Sequence, residues 1–253
     1  MGCVAWDNDG VLTYRDVGVV LRTHRLGEAD RIITLLTREH GKVRAVAKGV
    51  RRTGSRFGAR LEPFMYVDLQ LYQGRNLDTV TQAVTKEPYA GPISRSYPAF
   101  TAAAAIAETA DKLTPVEREP ATQAFWLTAG AFGALAREEH QPGLILDSYL
   151  LRALALAGYA PSFDACAVCG AAGPHRFFSP ASGGMVCDGC RPAGSTLPDQ
   201  ATVELLGALL SGNWLLADAA SSVAVNQAPG LVAAFAQWHM ERAIKALRLV
   251  ERR

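Results

Sequence analysis

No stretch of the 253 residues approaches the roughly 18 apolar residues that a membrane-spanning helix needs. The most apolar helical run, Phe125 to Ala136, is short, and the next is interrupted by Asp147 and Arg152. A membrane partner is therefore not expected. The opening residues, MGCVAWDNDG, lack a basic start followed by an apolar core, so they do not read as a secretion leader. Trp6 stands where a myristoylation pattern wants Ser or Thr. A reducing cytoplasm is the expected setting. The common catalytic patterns are missing as well: there is no H-E-x-x-H, G-x-S-x-G or G-x-G-x-x-G. Gly49-Val-Arg-Arg-Thr-Gly54-Ser55-Arg56 has the glycines of a phosphate-binding loop, but Ser55 and Arg56 replace its Lys and Ser/Thr. Nucleotide hydrolysis is not expected, and Glu138-Glu139-His140 reads as a solvated helix end rather than a catalytic cluster.

The chain is 49% hydrophobic and 20% charged, which is the balance of an ordinary globular protein. Its net charge of +2 hides an asymmetry. Arg22 to Arg60 holds eleven Lys/Arg against three acids, a balance of +8, while the remainder stands at −6. A basic block on an otherwise acidic chain points to a polyanionic partner.

The chain reads as an α+β multidomain protein. Residues 1–12 form an extension. Residues 13–92 contain five short strands: around Val17–Leu21, at Ile32–Thr37, over Val43–Val46, from Phe64 to Tyr72, and over Leu77–Val84. Five strands in so short a span suit a small closed barrel of the OB-fold kind. After Pro92 the character changes to Ala- and Leu-rich runs bounded by Pro or Gly. Helices are expected over Phe100–Leu113, Ala121–Glu139 and Leu144–Ala157, then over Asp199–Leu210 and Leu231–Val250. The helical domain is thus residues 93–160 and 199–253, with a cysteine-bearing module, 161–198, inserted between its parts.

That module carries the most specific local signal. Cys166-Ala-Val-Cys169 and Cys187-Asp-Gly-Cys190 form C-x2-C-x17-C-x2-C, a four-cysteine zinc spacing. Gly170 and Gly189 are placed to relax the two turns. Four protein ligands leave no open position, so one structural zinc ion is expected. Free thiols or two disulfides are the alternatives, the latter disfavoured in a reducing compartment. Val168, Phe177, Phe178 and Met185 are too few to build a core, so the metal would stand in for missing apolar burial.

The second signal is basic. From Lys42 to Leu61 there are seven Lys/Arg and no acid. Lys42, Arg44, Lys48, Arg51, Arg52, Arg56 and Arg60, with Arg22 and Arg25 from the preceding hairpin, are candidate phosphate contacts. Gly49, Gly54 and Gly58 suggest a flexible loop, and Phe57 is placed to stack on a base. A solvated charged surface is the plainer alternative. In the last expected helix, Arg242, Lys245 and Arg248 share one face, with Phe235 and Trp238 near its edge. That margin suits an acidic peptide or a nucleic-acid backbone, or else it serves interdomain packing.

Several segments together resemble the RecO family of DNA repair proteins: Gly18-Val-Val-Leu-Arg22, Leu26-Gly-Glu-Ala-Asp-Arg31, His40-Gly-Lys-Val-Arg44, Ala47-Lys-Gly-Val-Arg-Arg52, Leu61-Glu-Pro-Phe64 and the two cysteine knuckles. The resemblance implies an N-terminal OB-fold, a helical domain and a zinc module whose cysteines some members lack. It further implies binding of single- and double-stranded DNA, strand annealing, and work with RecR. Together these would help RecA onto DNA coated by single-stranded DNA-binding protein, in a cytoplasmic, nucleoid-associated setting. A zinc-stabilised adaptor with little DNA affinity and a zinc-dependent nucleic-acid-processing enzyme are the rival readings.

Overall fold

The computed structural model describes residues 5–6, 12–55 and 57–240. A short strand β1 (Ala5–Trp6) pairs with the start of a long one, β2 (Leu12–Leu26). The strands β3 (Asp30–Thr37), β4 (Gly41–Ala47), β5 (Tyr66–Tyr72) and β6 (Asp78–Glu87) complete a sheet of order β1-β2-β3-β4-β6-β5. A further β2–β5 pairing closes β2 to β6 into an OB-like barrel.

Closure depends on how β2 is shared. Its first half pairs with β5 from Thr13 to Val19, and its second half pairs with β3 from Gly18 to Leu26. Gly18 sits in the overlap, where an added Cβ would lie 3.2 Å from the Thr37 methyl and 3.3 Å from the Leu36 carbonyl oxygen. A register shift between Val20 and Arg22 bends the strand there. The remaining seam is a short parallel pairing of Ala45 and Val46 with Asp78 and Thr79. Val20, Ile33, Leu35, Val67, Leu69 and Val80 fill the interior, as period-two alternation requires.

The helical part begins with α1 (Ala90–Arg95) and α2 (Tyr97–Leu113), the latter capped by Ser96, whose hydroxyl accepts from the Ala99 amide. Next come α3 (Thr122–Ala136) and α4 (Pro142–Leu156). The expected helix to Glu139 stops three residues early because Glu138 turns to φ 55°, sending His140 across to another element. After the cysteine module follow α5 (Gln200–Ser211), α6 (Trp214–Asp218) and α7 (Ser222–His239), capped by Asp199, Asn213 and Ser221. His140 stacks on Trp214 at 3.9 Å and bonds Asp218 at 2.8 Å, so it ties α3 to α6 rather than ending a solvated helix.

Helix α4 is the hub. Every residue from Leu144 to Leu151 is buried, and α2, α3, α5 and α7 pack around it. Alanines along α2 (Ala102, Ala103, Ala105, Ala107 and Ala110) let neighbouring backbones come close. The same core runs into the barrel wall through Val19, Leu21, Leu36 and Phe64. Phe64 holds φ 73°, unusual for a bulky residue, and its ring meets Phe100 at 5.7 Å and Phe132 at 5.3 Å. Among the described residues, no helix is long and apolar enough to cross a membrane.

Candidate metal centre and nucleic-acid interface

The cysteine module is built on a two-stranded hairpin, β7 (Phe177–Ser179) and β8 (Gly184–Val186), with a knuckle at each end of the segment. In the first knuckle the Gly170 amide donates to the Cys166 carbonyl at 2.8 Å, and Gly170 takes φ 74°. In the second the Cys190 amide donates to the Cys187 carbonyl at 3.1 Å. Gly189 is not among the residues with positive φ, so of the two glycines it is Gly170 that the turn geometry requires. The sulfurs of Cys166, Cys169, Cys187 and Cys190 all lie within 4.8 Å of one another, and Cys169 and Cys187 are 3.9 Å apart. Tetrahedral thiolates at about 2.3 Å from an ion would stand roughly 3.8 Å apart, so the donor set fits such a centre with every position filled by protein. The amides of Cys169 and Cys187 draw the Cys166 thiol down to about 6, whereas hydrogen bonding to Cys187 and Cys169 pushes Cys190 up to about 12. His175 instead points its Nε2 at the Ala171 carbonyl, 2.8 Å away.

The module is not separate from the helical core. Phe163, Phe178 and Met185 belong to that core, and the Phe178 ring lies 6.4 Å from Phe235 of α7. The His239 ring bonds the Pro180 carbonyl at 3.0 Å, joining the end of α7 to the hairpin. This corrects the reading of Phe235 as part of an exposed aromatic margin: it is 1% exposed, packed under the hairpin. Trp238 is 64% exposed. The helix begins at Ser222, nine residues before the expected Leu231, while Arg242, Lys245 and Arg248 lie outside the described residues.

The basic block divides into two groups. Lys42 is 9% exposed and donates to the Asp111 carbonyl at 3.0 Å and to its carboxylate at 3.1 Å. Arg22 reaches the other oxygen of Asp111 at 3.2 Å, and Arg44 pairs with Glu117. The last turn of α2 (Asp111) and the connector that follows it (Glu117) thus supply carboxylates that no local sequence window contains. Lys42 is corrected from a candidate phosphate contact to a buried interdomain ion pair. Phe57 is corrected too: at 1% exposure it closes one end of the barrel with Leu61 and Met65, leaving no ring face for a base.

The other group lies at the far end of the barrel. Arg25, Lys48, Arg51 and Arg52 are exposed, and among the described residues no carboxylate lies within salt-bridge distance of them. The loop after β4 is pinned to the β2–β3 turn. The Gly49 amide donates to Asp30 at 2.7 Å, and the Arg51 amide to the Ala29 carbonyl at 2.9 Å. The Arg51 guanidinium donates to the Glu28 carbonyl at 2.8 Å, which orients the side chain and leaves its charge uncompensated. Gly49 and Gly54 take φ 67° and 81°, so the segment is a succession of hydrogen-bonded turns rather than an open loop. Arg60 is exposed on the one-turn 3-10 helix Gly58–Leu61, and Arg56 lies outside the described residues.

Two buried acids hold this barrel together. Asp16 accepts from the Glu39 and His40 amides and from the His40 ring at 2.7 Å, fixing the β3–β4 turn. Burial pushes its carboxyl up, but hydrogen bonds from His40, Thr37 and Glu39 prevail and hold it below 3.8. Asp78 accepts from Tyr14 and Arg118, and its burial and the Asp78 bond push the Tyr14 hydroxyl far above its ordinary value.

An OB-like barrel with a cationic end, joined to a helical domain through ion pairs and followed by a four-cysteine cluster that could hold a metal ion, defines a class of modular proteins. Family models place the chain further. Residues 12–89 match the model described as Recombination protein O N terminal, and residues 94–248 match Recombination protein O C terminal. The DNA repair protein RecO of Nocardioides sp. is 57% identical over 244 residues, covering 95% of this chain and 100% of that protein. The proteins of the same name from Thermobifida fusca and Streptomyces coelicolor are 56% and 55% identical, each over 94% of this chain and 98% or 99% of the relative. The chain belongs to the RecO family of DNA repair and recombination proteins.

Proposed function

We propose that the chain is a non-enzymatic recombination mediator. It binds single- and double-stranded DNA through the end of its barrel and anneals complementary strands. With RecR, it helps load RecA onto DNA coated by single-stranded DNA-binding protein, in the cytoplasm and at the nucleoid. On this reading residues 13–92 are the DNA-binding domain, and 161–198 a zinc module inserted in a helical domain of 93–160 and 199–253.

The observation that carries the reading is the cluster of Arg25, Lys48, Arg51 and Arg52, which has no carboxylate within salt-bridge distance among the described residues. Such cations exchange condensed counterions for phosphate whatever the base sequence, and screening of phosphate repulsion is what annealing asks of a protein. Arg60 extends the surface, with Arg22 and Arg44 at its margin, and Arg56, outside the described residues, is kept as a candidate contact from its place in the sequence. One zinc ion, held by Cys166, Cys169, Cys187 and Cys190, supports the fold. Bound there, it would supply cross-linking free energy and no vacant position for water or substrate.

The test is strand annealing and salt-titrated DNA binding with Arg51→Glu, Arg52→Glu and Arg56→Glu combined. Annealing should be lost with metal content unchanged. Undiminished DNA affinity of the variant at moderate salt would refute the reading, negligible DNA affinity in the wild type would favour the adaptor alternative, and metal-dependent DNA cleavage would favour the enzyme.

A further inference from the structure

Strand β4 carries a cationic row on one face. Val43, Ala45 and Ala47 are buried on the barrel side, so Lys42, Arg44 and, just past the strand end, Lys48 share the outer face. The row spans six residues, about 20 Å at roughly 3.3 Å per residue. Arg22 lies beside it, since Arg22 and Arg44 both pair across Thr34 of β3. Neutralisation is graded along the row. Lys42 is buried on Asp111, Arg44 is half-exposed on Glu117, and among the described residues Lys48 has no carboxylate within salt-bridge distance.

The middle position differs from both ends. The Arg44 and Glu117 side chains are 45% and 35% exposed, so solvent screens the pair and another anion can approach it. The backbone beneath is fixed independently of that ion pair: the Arg118 amide donates to the Lys42 carbonyl at 2.9 Å, and Arg118 pairs with Asp78. Glu117 can therefore leave Arg44 without the connector leaving the barrel.

We propose that Glu117 is an exchangeable counter-ion that sets where the phosphate-binding row begins. A DNA phosphate takes its place on Arg44, while Asp111 permanently closes the row at Lys42. This rests on the reading of the barrel as the DNA-binding domain and adds an acid that tunes the length of its track.

The experiment measures affinity for labelled oligothymidylate across a salt series in the full chain. Glu117→Gln should bind about two- to five-fold tighter at low salt, the range that an exposed ion pair withholds. Its slope of log affinity against log salt should steepen by about 0.7, one added phosphate contact. Arg44→Ala in the Glu117→Gln background should erase both gains, and Glu204→Gln, on distant α5, should give neither. An unchanged or weaker Glu117→Gln, or an equal gain from Glu204→Gln, overturns the proposal while leaving the DNA-binding reading intact. A wild-type chain without salt-sensitive binding would sink that reading itself.

Discussion

The Lys42 ammonium lies 3.1 Å from the carboxylate of Asp111, sixty-nine positions later in the chain. The pair is nearly enclosed, and Asp111 serves Arg22 as well. It makes the seam between barrel and helices electrostatic as well as apolar. Asp111→Ala should cost about 3 kcal/mol, because it leaves the buried Lys42 charge with a backbone carbonyl but no carboxylate to neutralise it. Lys42→Met should cost less, since Asp111 keeps Arg22. Denaturant unfolding of both variants checks the order, and equal small losses would show that the seam is held by apolar packing alone.

Phe57 separates the packing role from a base-stacking one. Phe57→Ala should destabilise the fold by about 3–5 kcal/mol, as emptying a filled core position does. Phe57→Leu should keep most of the volume and all of the DNA affinity. A large loss of affinity in a stably folded Phe57→Leu chain would restore the ring as a nucleic-acid contact.

Removal of the metal should act on stability rather than on DNA affinity. On the proposal that the four cysteines hold one zinc ion, Cys166→Ser should leave none bound and lower the melting temperature, because Phe178 and Met185 of the module share the helical core. Elemental analysis and thermal unfolding provide the readouts. DNA affinity at the barrel end should hold, and its loss would give the module a direct part in binding.

Asp16 predicts an acid-side signature. Its carboxyl is held below 3.8 in the fold, so its stabilisation is complete above that unfolded value and is lost as pH falls through the lower, folded one. The stability gap between the wild type and Asp16→Asn should therefore narrow below about pH 4. Unfolding curves on either side of that pH check the sign, and a gap that widens on acidification would contradict it.

Periodicity and spacing carried much of the architecture. The alternation in β3 and β4, the Pro and Gly boundaries of α2 and α4, and the paired knuckles of Cys166 to Cys190 are local patterns that a linear reading can recognise. Partners remote in sequence were not legible. The acids that quench Arg22, Lys42 and Arg44 come from the end of α2 (Asp111) and the connector after it (Glu117), so a window of Lys42 to Leu61 looks wholly unpaired. Phe57 follows the same logic: among arginines and glycines it reads as exposed, yet the barrel end needs an apolar plug. Phe235 was misplaced because the hairpin residue that covers it, Phe178, is fifty-seven residues upstream in a different kind of structure. Asp111 and Glu117 carried no signal of their own, since isolated acids at helix ends are usually solvated.

The central claim is that the cations at the barrel end meet DNA phosphates unopposed. Its most direct measurement is the salt dependence of DNA affinity for the wild type and for the Arg51→Glu, Arg52→Glu, Arg56→Glu combination. The wild type should weaken steeply with salt, and the variant should lose both affinity and several units of slope. Equal affinity and equal slope in the two proteins would contradict it.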